Sequence, residues 1–215
     1  MRRRFPFLSL TQLKINHSQI FITLKKMQQA HTLFNYFELG FLHVIPLGFD
    51  HILFIVSLFF LQSNLKKLLL QCSVFTLAHS ISLGMAATGC IIPNPEIIEP
   101  FIAITILITS LENILLTQIN RWNLLLIGAF GWIHGMGFAT AISEQGFPKN
   151  TFISSLFCFN LGVELAQIMI LILLYFLISK PFGKMIWYRE RIVLPISSMS
   201  ACIAIYWTIE RIAHF

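Results

Sequence analysis

The chain is 215 residues long, 56% apolar and only 11% charged, with a formal net charge of +6 at pH 7. Soluble domains carry roughly 25% charged residues, so a mean hydropathy of +0.77 excludes a soluble enzyme, a disordered regulator and a disulfide-stapled secreted domain. What remains is a polytopic membrane protein, its length suited to one helical bundle at about 20 apolar residues per span.

Residues 1–32 form a polar, basic N-terminal segment that carries Arg2, Arg3, Arg4, Lys14, Lys25 and Lys26. It holds no small-residue cleavage site after an apolar core, so no signal peptide is read there. Met27 stands as an alternative start, which would leave residues 1–26 untranslated. Residues 33–215 read as a single transmembrane helical domain. Its apolar runs fall at 33–62, 68–89, 101–118, 123–142, 151–179 and 192–209. The first run is too long for one upright span and is interrupted by Pro46 and Gly48. Proline removes a helical hydrogen bond and clashes with the preceding turn, so this run is either a tight hairpin of two short helices or one broken helix. Broken helices persist in membranes where they line a cavity or are buried in protein.

Lys66-Lys67, Arg121 and the stretch from Lys180 to Arg191 occupy alternate loops and share one side of the membrane, which the positive-inside rule makes cytoplasmic. The 90–100 loop, with Glu96 and Glu99 and no basic residue, belongs outside. Placing the N-terminal basic residues inside as well favours the hairpin. The expected fold is therefore all-α: a polytopic transmembrane helix bundle with six or seven crossings, its first run broken near Pro46–Gly48. The net charge reflects topology, and no nucleic-acid partner is expected. Trp122, Trp187 and Tyr188 suit interfacial anchoring, and the phenylalanines suit lipid and core contact. The four cysteines (Cys72, Cys90, Cys158 and Cys202) are scattered, with no metal-type spacing.

The informative residues are the polar ones inside the apolar runs: Glu38, Asp50, Glu112 and Glu164, with His43, His51, His79 and His134. A charge at mid-membrane costs about 2.5–3.5 kcal/mol on insertion scales, so such groups face the bundle interior and pair or bind something. His17, His31 and His214 lie outside the runs. His43 and Asp50 are seven positions apart, which puts them on one face if the helix continues through Pro46. Asn160, Glu164 and Gln167 form one polar stripe, Thr105 aligns with Glu112, and the glycines at 131 and 135 allow close packing around His134. Imidazole and carboxylate from several helices, with few thiols, make a ligand set for Ni²⁺, Co²⁺ or Zn²⁺, carried as substrate or held as a bound ion. A polar network that only fixes helix register is the plainer alternative. Walker, G-x-S-x-G and HExxH signatures are absent.

Five segments in order, Gly40-Phe-Leu-His43, Gly48-Phe-Asp-His-Ile-Leu-Phe54, Phe75-Thr-Leu-Ala-His-Ser80, His134-Gly-Met-Gly-Phe-Ala139 and Phe159-Asn-Leu-Gly-Val-Glu164, resemble the HupE/UreJ family of bacterial hydrogenase- and urease-accessory membrane proteins. The resemblance implies a multi-pass nickel or cobalt permease of the bacterial cytoplasmic membrane, linked to hydrogenase or urease maturation. Asp50-His51 is similar to the Asp-His signature of nickel/cobalt transporters, although the six residues between His43 and Asp50 exceed the usual gap there. On this reading Asp50, His51, His79, His134 and Glu164 hold the metal, while His43, Ser80, Glu112, Asn160 and Gln167 support them or line the pathway. Metal binding needs neutral imidazoles, so uptake is expected to weaken as pH falls through about 6. The rival is a zinc-dependent intramembrane hydrolase, with Ser80 near the metal and Glu164 or Glu112 as general base. Lipids and the metal ion are the expected partners, and a second copy of the chain is a further candidate.

Overall fold

The computed structural model describes residues 17–61, 64–116, 123–142 and 146–213. Arg2, Arg3, Arg4, Lys14, Arg121, Trp122 and His214, read above, lie outside those residues. Every regular element among the described residues is helical: α1 (His17–Val44), α2 (Phe49–Leu61), α3 (Leu65–Ala87), α4 (Pro95–Leu115), α5 (Asn123–Ile142), α6 (Phe152–Leu174), the single turn α7 (Lys180–Phe182) and α8 (Leu194–Ala213). A π-helical turn, Tyr175–Ser179, joins α6 to α7, and another, Arg189–Val193, leads into α8.

The helix starts are chemically marked. Asn64 accepts hydrogen bonds from the backbone N–H groups of Lys66 and Lys67 at 3.0 and 3.4 Å, and Asn94 accepts from that of Glu96 at 3.0 Å. Such side chains satisfy amides that a helix start leaves unpaired. Pro95, with no N–H to satisfy, takes the first position of α4. At the far end of α4, the Arg189 guanidinium donates to the carbonyls of Ile114 and Leu116 at 3.3 and 3.4 Å. A cation there also complements the negative end of the helix dipole.

Among the described residues, four helical stretches are long and apolar enough to cross a membrane, and a fifth is added if α1 and α2 count as one bent span. That falls short of the six or seven crossings expected. The described apolar part of α5, Asn123–Phe138, is shorter than the other spans, and the first run does not double back. α1 and α2 meet at 66° across residues 45–48, far from the reversal a hairpin requires. The break itself falls where Pro46 and Gly48 predict it.

Three intimate helix pairs build the bundle, α1 on α6, α3 on α5 and α4 on α8, with the short α2 inserted against α4 and α6. Phe54, Phe75, Phe159, Leu58, Leu83 and Val163 form the centre of the core. Leu77, Ile81, Phe157, Leu161, Leu165 and Leu173 are exposed and face the lipid.

Candidate metal centre

Close backbone approach places the histidines. A Cβ at Gly40 would run into the Phe159 backbone, and one at Gly162 into that of Phe37, so α1 and α6 touch main chain to main chain. One at Gly131 would overlap the Phe75 carbonyl, and one at Gly135 the His79 carbonyl and the Ser82 hydroxyl, which seats α5 directly on α3. Small residues are how membrane helices come this near one another. His43 rides in the last turn of α1, His51 in the first turn of α2, His79 on α3 and His134 on α5, and the break at 45–48 turns His51 back toward His43.

Among the described residues, His43, His51 and His79 form one group whose candidate ligand atoms, one ring nitrogen from each, all lie within 4.8 Å of one another. Ring centroids are 4.6 Å apart for His43–His51, 6.0 Å for His43–His79 and 5.9 Å for His51–His79. His134 flanks the group, 5.0 Å from His51 by the same measure. Phe138 packs on His43, Phe54 and Phe75 on His134, and Phe159 stacks along His79, a wall of rings that braces the imidazoles.

Hydrogen bonds set the direction in which these rings are aimed. Asn160 donates its amide N–H to the Leu156 carbonyl at 2.8 Å, which leaves its Oδ1 to accept from His79 Nδ1 at 3.3 Å. The proton is thereby assigned to Nδ1, and the Nε2 lone pair points into the cluster. Thr105 likewise donates to the Ile102 carbonyl at 2.7 Å, so its oxygen accepts from His134 Nε2 at 3.0 Å and frees Nδ1. The Nε2 atoms of His43, His51 and His79 and the Nδ1 of His134 are buried without a hydrogen-bond partner. Buried polar atoms are almost always paired. Three of these histidines, His43, His51 and His79, make up the close group, a set of imidazoles that suits a cation, and His134 stands beside it.

A HupE / UreJ protein family profile matches residues 18–211. The chain belongs to the HupE/UreJ family. No curated protein and no solved structure matches it significantly.

The sequence-predicted residues of this HupE/UreJ chain separate into two sets. His51 and His79 stand in the triad, and His43, expected only to support it, is its third member. Asp50 lies outside the triad: both carboxylate oxygens accept from Arg211 Nη2, at 3.0 and 3.1 Å. The physical reason is the break, because the seven-residue spacing shares a face only on a continuous helix. Glu164 accepts from Ser73 at 2.8 Å and Gln167 accepts from Thr76 at 3.4 Å, both on the α3–α6 side. Ser80 donates to the Thr76 carbonyl at 2.7 Å, and Glu112 accepts from Asn123 at 3.3 Å. Ser80 and Glu112 are thus engaged away from the triad, while Glu164 keeps one buried carboxylate oxygen without a hydrogen-bond partner. Glu38 is exposed on α1.

A cavity of about 400 Å³ reaches this centre, lined by His43, His51 and His134 at its floor and by Asp50, Glu99 and Arg211 toward its mouth. Arg211 escaped the sequence reading. Its one signal was a lone basic residue just beyond the end of the last apolar run, on the side assigned few positive charges.

Proposed function

We propose that this family member carries a divalent transition-metal ion, nickel or cobalt, across the bacterial cytoplasmic membrane by way of His43, His51 and His79. The observation that carries the reading is the convergence of unpartnered ring nitrogens from α1, α2 and α3. Imidazole without thiolate suits Ni²⁺, Co²⁺ and Zn²⁺. Nitrogens bound to one such ion at about 2.1 Å stand about 3.4 Å apart, so a modest closing of the triad would seat it. Three protein ligands leave coordination positions open, which suits an ion that must arrive and leave. Asn160, by fixing the His79 tautomer, raises the basicity of the nitrogen that faces the ion.

The route has a direction. Lys66, Lys67 and Arg189 mark the cytoplasmic end of the bundle by the positive-inside rule. The cavity mouth, between the start of α4 and the end of α8, lies at the opposite end. From the triad, Asn160, Thr76, Gln167, Ser73 and Glu164 continue a polar track between α3 and α6 toward the cytoplasmic side, with His134 as a second station beside the entrance. The chain bears no ATP-binding signature, so an ion gradient, the membrane potential or a partner supplies the drive. The family points to hydrogenase or urease maturation as the destination of the metal.

Radioactive nickel uptake into cells lacking their own nickel importers tests the reading, with wild type compared to His51→Ala and His79→Ala at matched membrane levels. Uptake should appear with wild type and vanish in both variants. Wild-type uptake by either variant overturns the proposal.

A further inference from the structure

Arg211 stands in the mouth of the same cavity. Its Nη2 donates to both Asp50 oxygens at 3.0 and 3.1 Å, its Nη1 donates to the Glu99 carbonyl at 2.9 Å, and its guanidinium lies 5.4 Å from the centre of the Trp207 ring. The ion pair is part-buried, so it is screened less than one in open water. Asp50 directly precedes His51 and is the acid an entering cation meets before the triad. We propose that Arg211 is a tethered cation that occupies Asp50 until a divalent ion displaces it, and so makes entry depend on the charge of the ion. The inference rests on the metal-carrier reading.

Arg211 and an entering cation compete for one carboxylate. A guanidinium spanning both oxygens neutralises Asp50, so a monovalent cation gains little by replacing it. A divalent ion brings twice the charge and has imidazole ligands waiting behind. The displaced guanidinium keeps two anchors, the Glu99 carbonyl and the Trp207 ring, so it remains beside the mouth and can return. Arginine suits this task better than lysine because its planar fork reaches a carboxylate, a carbonyl and a ring face together.

Ni²⁺ titration of the full chain in lipid nanodiscs, at low and at high salt, separates the outcomes. Arg211→Gln should bind Ni²⁺ about tenfold more tightly than wild type at low salt, with the gain shrinking at high salt. Asp50→Asn alone, which leaves Arg211 uncompensated, should bind about tenfold more weakly. The double variant should lose the gain, since Arg211 acts through Asp50. Unchanged or weaker binding by Arg211→Gln overturns the proposal. So does wild-type binding by Asp50→Asn, which serves as the test if Arg211→Gln does not fold. A His79→Ala control keeps the two readings apart: binding that survives there sinks the carrier itself, whatever Arg211 does.

Discussion

Two buried polar clusters sit within this bundle, and they differ in what they leave over. Where α3, α4 and α5 meet, Gln71 donates to Asn123 at 2.6 Å and Asn123 donates on to Glu112 at 3.3 Å. Nearby, Asn113 donates to the Ser57 carbonyl at 2.8 Å while Ser57 and Ser110 share a 2.9 Å bond. The leftovers there are isolated oxygens, one on Gln71 and one on Asn113. In the histidine cluster one nitrogen each of His79 and His134 is spent on Asn160 and Thr105, and one ring nitrogen from each of His43, His51 and His79 lies within 4.8 Å of the others. Burial of polar atoms is common to both regions. Convergence of the unpaired ones distinguishes a candidate ligand site from a network that holds helices in register.

The sharpest way to break that contrast is His79→Ala, which should weaken Ni²⁺ binding by more than about a hundredfold while leaving membrane insertion intact. Asn160→Ala should cost about ten- to a hundredfold in metal affinity, because the ring loses the partner that fixes its tautomer. Lowering the pH far enough to protonate the imidazoles should weaken binding, since protons and metal compete for the same lone pairs. Tighter binding at the lower pH would exclude neutral imidazole as the ligand. Gly135→Ala, which drives a methyl into the His79 carbonyl, should lower stability in thermal unfolding by about 1–3 kcal/mol and blunt metal affinity with it. Gln71→Leu should lower stability by about 1–2 kcal/mol and leave Ni²⁺ affinity alone. If Gln71→Leu impaired binding as much as Asn160→Ala did, the two clusters would not be different in kind.

The helices were legible in the sequence because hydropathy and helix-breaking residues act locally. The apolar run 68–89 is α3 to within a few residues, and 123–142 is α5 end to end. Pro46 and Gly48 gave away the break for the same reason. The angle at that break was hidden, since it depends on how α1 lies on α6 and α2 on α4. With it was hidden the choice between Asp50 and His51 as the residue turned inward. Helical spacing assigns a shared face only within one unbroken helix, so the seven-position interval from His43 to Asp50 does not carry across the break. The partner of Asp50 lies 161 residues away in sequence, and no local pattern announces it. The glycines beside His134 were readable as packing sites, whereas the residues they press against were not.

The junction at residues 45–48 also gives the centre a mechanical asymmetry. His43 is bolted to one wall by the contact of Gly40 with Phe159, and His79 to another by that of Gly135 with the α3 main chain. His51 sits on α2, a rod of 13 residues and about 20 Å that is held to α4 by side chains, through the bonds of Ser57 with Ser110 and Asn113. If α2 swings on the junction by about 10°, its far end at Leu61 travels about 3 Å while His51, beside the pivot, shifts by about half an ångström. With its short arm in the triad, such a rod would turn a large excursion at Leu61 into a fine adjustment of one nitrogen against two fixed ones.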